Sequence, residues 1–320
     1  MKLLRALLGL CFAVAWAEEL RISAHCTAMG TTYTIVAYHS DRRTLETAVD
    51  EACAEIQRID SFLSHYRQDS ELSRVNREAA QRPVPVSQEL FDLLVACQRY
   101  SQQSQGAFDI TVGPLVKIWG FYRGEGRMPH RAEIRQALSR VGYRKLELDA
   151  TNRTVRFKVP GMALDPGGIG KGYAVDRVVE RLRQLGIRSA LISAGGSSIY
   201  ALGAPPGQPG WKVQIRNPLA PSRTIEEVTL KDESISTSGV YEKYFLWGGR
   251  RYAHIFDPRT GYPVQGTLAV SVIAPKTLDS EAWTKPFFIL GRKWAQRFKP
   301  MGWRVFYCED KKDRPCAWLP

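Results

Sequence analysis

The stretch LDPGGIGKGYAVD, residues 164–176, joins a glycine-rich turn to the start of a helix. Gly167, Gly168, Gly170 and Gly172 let backbone N–H groups approach an anion, and a helix leaving the turn aims its positive end at the same point. A phosphate or pyrophosphate is the ligand such a turn would hold, and Lys171 adds a full charge. The wording departs from both common nucleotide loops. A Walker A loop needs Gly where Asp165 stands and Ser or Thr where Gly172 stands, and the dinucleotide pattern needs Gly where Tyr173 stands. A plain structural turn is the competing reading.

Outward from this stretch, the segment over residues 174–185 carries apolar residues at helical spacing and is stopped by Gly186. Residues 154–159 alternate and read as a strand. Leu45, Val49, Ala52, Ile56, Ile59 and Leu63 predict a helix over 44–63. Another begins after Ser87, a good N-cap, and carries Leu90, Leu94 and Cys97 inward. A shorter amphipathic helix covers 131–141. Strands are expected at 31–38, 190–193, 211–216, 252–256 and 268–273. Helices and strands in this irregular order imply an α+β fold, not a βαβ repeat.

The chain has 320 residues, of which 44% are hydrophobic, so one large core or two modest ones fit and a disordered or fibrous chain does not. Lys and Arg number 45 against 32 Asp and Glu, a formal charge of +13. The basic residues are scattered, which speaks against a nucleic-acid arm. At the start, Lys2 and Arg5 precede an apolar run over residues 7–14, followed by Ala15-Trp16-Ala17. That is the pattern of a cleaved export leader over residues 1–17, leaving a domain over 18–320 in the periplasm. The apolar run is far short of the roughly 20 residues a membrane span requires, so no stable span is expected and inner-membrane association is the alternative. Leu10 before Cys11 is too large for a lipoprotein signal.

Cys26, Cys53, Cys97, Cys308 and Cys316 remain, so at least one thiol is unpaired. Cys308 and Cys316, flanking a polar loop, are the expected disulfide. Cys53 and Cys97 lie on apolar helix faces and read as small buried hydrophobes. The five histidines are dispersed, without the spacing of a zinc site. His254 stands out within HIFDPRTGYP, where a strand meets a Pro/Gly turn. The hydroxyls of 236–238 suit a phosphate or a plain turn alike. Trp119, Phe121 and Tyr122 read as core.

Eight segments, in order, change this picture. AMGTTYTI (28–35), DSFLSHYRQDSELSRVN (60–76), GAFDITVGPLVKIWGF (106–121), LDPGGIGKGYAVD, ISAGGSSIYALG (192–203), STSGVYEKYF (236–245), YAHIFDPRTGYP (252–263) and the final FFILG (287–291) resemble the ApbE family of FAD:protein FMN transferases. The resemblance implies an α+β, T-fold-like architecture with mixed sheets packed against helices. It also implies that FAD is split at its pyrophosphate, FMN passing to a threonine hydroxyl of an acceptor flavoprotein while AMP leaves. Position by position, it assigns FAD contacts to Met29, Tyr66, Ala107, Phe108, Asp109, Asp165, Lys171 and Ile255. His254 takes the catalytic position, and the Gly168 carbonyl that of a Mg²⁺ ligand.

One departure bears on the metal. The family pattern places an Asp and, four residues later, a Thr on one helix face toward the ion. Counting back from FFILG, these positions are Glu281 and Lys285. Using Asp279 and Thr284 instead restores the residue types, but five residues on a helix turn through about 500°, which points the two side chains roughly 140° apart. The direct register is therefore expected, with an ammonium where a cation would sit. A non-catalytic flavin-binding assembly protein and an FAD pyrophosphatase stay open as alternatives.

Overall fold

The computed structural model of the chain describes residues 19–311 and 315–320. The leader read over residues 1–17 lies outside them. The hairpin of β1 (Leu20–Ala28) and β2 (Thr31–His39) is followed by α1 (Arg42–Leu63), α2 (Glu71–Glu78), β3 (Val84–Pro85) and α3 (Gln88–Gln103). Next come α4 (Gly113–Ile118), α5 (Arg131–Leu138), β4 (Leu146–Asp149), β5 (Thr154–Phe157) and α6 (Gly170–Gln184). The second half holds β6 (Ser189–Ala194), β7 (Ser198–Leu202), β8 (Trp211–Asn217), β9 (Ala220–Leu230), β10 (Glu233–Gly239), β11 (Tyr244–Trp247) and β12 (Arg250–Ala253). It ends with β13 (Thr267–Ala274), α7 (Thr277–Leu290), α8 (Arg292–Phe298), β14 (Arg304–Glu309) and β15 (Cys316–Trp318).

Eight strands pair in the order β1-β2-β6-β7-β10-β13-β14-β15, all antiparallel. The alternation of side chains along each strand lets this sheet serve two cores. Tyr33, Ile35 and Ala37 of β2 face the large core built with α1, α3, α6 and α7, while Val36 and Tyr38 face the smaller core covered by the β8–β9 hairpin. Strand β13 is buried on both faces: Val270 and Val272 enter the first core, Ala269 and Ile273 the second. This is the α+β arrangement expected. A third cluster gathers around Trp119, whose indole N–H donates to the Gly261 carbonyl at 3.0 Å.

Helix α1 forms where its apolar period dictates, and the Asp41 carboxylate caps it by accepting the Thr44 N–H at 2.7 Å. Helix α3 is capped by Ser87, as expected. The strand expected over 252–256 is shorter: β12 ends at Ala253, and His254 turns its N–H onto the Lys243 carbonyl. The following residues fold back through a Pro/Gly turn, where Phe256 bridges Pro263 and the Val264 N–H donates to the Ile255 carbonyl at 3.0 Å.

Cys308 and Cys316 are bonded across the β14–β15 pair, and Cys97 is buried and free. Cys53 corrects its sequence reading. Instead of an inert hydrophobe it is bonded to Cys26, because the inward face of α1 lies over edge strand β1. The bond closes a loop of sequence separation 27. Removing both thiols (Cys26→Ala with Cys53→Ala) should lower unfolding free energy by about 3 kcal/mol through the freed unfolded chain. Chemical denaturation of the two proteins measures this, and an unchanged midpoint would show that the bond contributes nothing.

Candidate functional site

A cleft of about 510 Å³ opens where the N-terminus of α6, the β1–β2 turn, α7 and the base of the β11–β12 hairpin meet. The local sequence explains each wall. Asp165 accepts the Gly167 N–H at 2.7 Å and folds Pro166–Gly168 into a single 3-10 turn. Gly167, Gly168 and Lys171 border the cleft. The glycines of the motif are divided between tasks, which the sequence reading did not separate. Gly172 lies inside α6 and packs on α7, where an added Cβ would stand 2.5 Å from the Thr277 carbonyl oxygen and 2.8 Å from Glu281 Oε2.

Met29 and Gly30 form the two-residue turn between β1 and β2, both with positive φ, the geometry whose twist matches an antiparallel hairpin. A methionine in this region is strained. Asp60 of α1 fixes it by accepting the Met29 N–H at 3.1 Å. Another part of the lining is aromatic. The His65 ring centre lies 4.0 Å from that of Tyr66 and 4.7 Å from that of Tyr122, both pairs tilted, and Tyr66 is 60% exposed, a flat surface open to a ring. Both ring nitrogens of His65 are shielded from water and without a partner. Burial lowers its pKa, against the nearby Asp165.

His254 and Lys243 border the cleft at the foot of the β11–β12 hairpin. His254 Nδ1 lies 3.1 Å from the Lys243 carbonyl oxygen. A carbonyl can only accept, so Nδ1 carries the proton and Nε2 keeps its lone pair. Burial, together with the positive charges of Lys171, Lys243 and Lys285, pushes the His254 pKa down to about 4.

From α7, Glu281 and Lys285 both reach the cleft, as the direct register requires. Asp279 instead accepts a hydrogen bond from the Tyr100 hydroxyl, and Thr284 pairs with Ser238 at 2.8 Å. Glu281 is buried. Its Oε2 accepts the Gly172 N–H, and its Oε1 lies 4.0 Å from Lys285 Nζ. Lys285 Nζ also donates to the Glu281 carbonyl at 3.1 Å. Burial pushes the Lys285 pKa down to about 8, with Glu281 opposing the fall.

Of the positions named from the resemblance, Met29, Tyr66, Asp165, Gly168, Lys171, His254, Ile255, Glu281 and Lys285 share this one cleft. Ala107, Phe108 and Asp109 do not line it. They lie buried behind its wall, where Asp109 accepts N–H groups of Thr111 and Tyr143 and the edge of Phe108 supports Gly168. Phe121 and Tyr122, read as core, border the cleft, whereas Trp119 is fully buried. His65, Lys243 and Asp60 escaped the residue-by-residue reading: no spacing rule marks a lone side chain brought in by a loop, as His65 and Lys243 are, or a single carboxylate on a helix, as Asp60 is. Ser236 belongs to the β10–α7 contact, bonded to Ser280, while Thr237 and Ser238 border the cleft.

A model of the ApbE family matches residues 29–301 of the chain. An FAD:protein FMN transferase of Klebsiella pneumoniae is 37% identical over 249 residues, covering 76% of this chain and 77% of its own. Another, from Salmonella typhimurium, is 33% identical over 275 residues, covering 84% and 78%. Among solved structures, the ApbE protein of Thermotoga maritima superposes with a TM-score of 0.84 at 31% identity, over 91% of this chain and 95% of that one. The flavinyl transferase ApbE of Pseudomonas stutzeri gives 0.82 at 31% identity, over 94% of each.

Proposed function

The chain belongs to the ApbE family, and from that premise we propose that it is an FAD:protein FMN transferase acting on a threonine of an acceptor flavoprotein. The observation that carries the reading is the placement of a histidine with a free Nε2 lone pair on the same cleft as the Asp165–Gly168 turn and Lys171. The pyrophosphate of FAD would rest on that turn, where the N-terminus of α6 and the Lys171 ammonium oppose its charge. Tyr66 and Tyr122 offer faces for a flat ring.

The reaction then balances simply. The acceptor hydroxyl oxygen bonds to the phosphorus on the flavin side, and the bridging P–O bond breaks. AMP leaves with the bridging oxygen, and His254 Nε2 takes the hydroxyl proton. The basic, apolar-cored leader supports export to the periplasm as the place where the acceptor is met. Among the described residues, no helix is long and apolar enough to cross a membrane.

The test is to incubate the protein with FAD and a flavoprotein domain bearing an exposed threonine. A covalent, fluorescent flavin band with matching AMP is expected. AMP without a labelled acceptor would mean pyrophosphatase action. FAD held tightly with neither product would make the protein a flavin-binding assembly factor.

A further inference from the structure

The family pattern implies Mg²⁺ at this cleft, and the residues present do not fit it. Such an ion takes six oxygens in near-ideal octahedral geometry. Where it serves a phosphate ligand it is held by one or two carboxylates together with the phosphates and waters, so the state of the carboxylate at the family position is decisive. The carboxylate at the expected position, Glu281, has one oxygen engaged by the Gly172 N–H and the other facing the Lys285 ammonium at 4.0 Å. The Lys285 chain passes directly over the turn, its Cε 3.4 Å from where a Gly168 Cβ would stand. A divalent ion set against Glu281 would meet this fixed positive charge at close range, in a place where burial weakens screening.

The same facts describe a completed site of another kind. A buried carboxylate without a partner is costly, and Lys285 supplies one from the next helical turn. Its ammonium is also tethered by the Glu281 carbonyl at 3.1 Å, which fixes the charge at the cleft wall. Lys171 lines the same cleft from α6. Two ammonium groups therefore flank the glycine turn from separate helices.

We propose that Lys285 is a built-in substitute for the divalent cation: its ammonium, held by Glu281, neutralises the pyrophosphate so that FAD binds without metal. The inference rests on FAD being the ligand of this cleft. FAD affinity of the full mature chain, followed by flavin fluorescence or calorimetry, should agree within about twofold between excess EDTA and millimolar Mg²⁺. Mn²⁺ added as a paramagnetic probe should keep its free-ion spectrum in the presence of protein and FAD. Lys285→Thr should weaken FAD binding in EDTA by about tenfold or more, the loss of one charge-assisted contact, and Mg²⁺ should restore it.

A wild-type affinity that falls more than about tenfold in EDTA, stoichiometric Mn²⁺ capture by the wild type, or a Lys285→Thr protein that binds FAD normally in EDTA would each overturn it. The two wild-type measurements decide the matter even where the variant fails to fold. Absence of FAD binding under every condition is a different failure, since it removes the FAD reading of the cleft and the inference with it.

Discussion

Replacing His254 with alanine is expected to slow FMN transfer by about a hundredfold to ten-thousandfold, the range associated with losing a positioned general base. FAD affinity should hold within about threefold, because the imidazole is assigned to the acceptor hydroxyl and not to the dinucleotide. The tautomer carries the argument. Nδ1 is committed to the Lys243 carbonyl, so the nitrogen left over is an acceptor. Burial, together with the positive charges of Lys171 from α6, Lys243 from the hairpin foot and Lys285 from α7, pushes its pKa down to about 4.

The sign follows for pH. A histidine with a depressed pKa stays unprotonated as the medium is acidified, so it remains competent as a base well below the ordinary value of about 6.5. The kcat/KM profile, which reports groups of the free enzyme, should therefore have its acid limb near pH 4. A limb at the ordinary histidine value, or a His254→Ala protein with undiminished transfer, would remove this residue from the base role.

How much of this was legible beforehand depends on range along the chain. Helix α1 was readable because Leu45 to Leu63 repeat at helical spacing, and Ser87 announced α3 as an N-cap. Strands β2 and β13 stood out through β-branched and aromatic runs. The order of the sheet was not readable: β10 lies between β7 and β13, a pairing between distant segments that no local pattern encodes. The same holds for Cys26 and Cys53, whose partnership depends on how α1 lies over β1.

The candidate site shows the same division. Motif matching found residues that the fold does gather, such as Tyr66, Lys171 and His254. It could not separate a residue lining the cleft from one bracing the wall, so Ala107, Phe108 and Asp109 were named alongside residues that line it. His65 went the other way. Its neighbours in sequence gave no spacing signal, and only the turn after α1 places it between two tyrosines.

Gly172 yields the other large effect, and it separates the two readings of the glycine motif. As part of an anion-holding loop, Gly172 would accept a small side chain with only ligand affinity affected. Inside α6, alanine should even favour the helix by about 1 kcal/mol. Packing decides the sign. An added Cβ would stand 2.5 Å from the Thr277 carbonyl oxygen and 2.8 Å from Glu281 Oε2, atoms of the α7 backbone and of a buried carboxylate. Helix α7 cannot slide to make room without cost, because Asp176 of α6 accepts the Thr277 and Leu278 N–H groups at 2.7 and 2.9 Å. Gly172→Ala should therefore destabilise by about 2 kcal/mol and Gly172→Val by about 4 kcal/mol or more, since overpacking grows with each added methyl. Chemical denaturation reads the first effect. FAD titration of Gly172→Ala reads a second, because any parting of α6 from α7 displaces Glu281 and Lys285 together. If Gly172→Ala kept full stability and lost only FAD affinity, the loop reading would be right and the helix contact would not be tight.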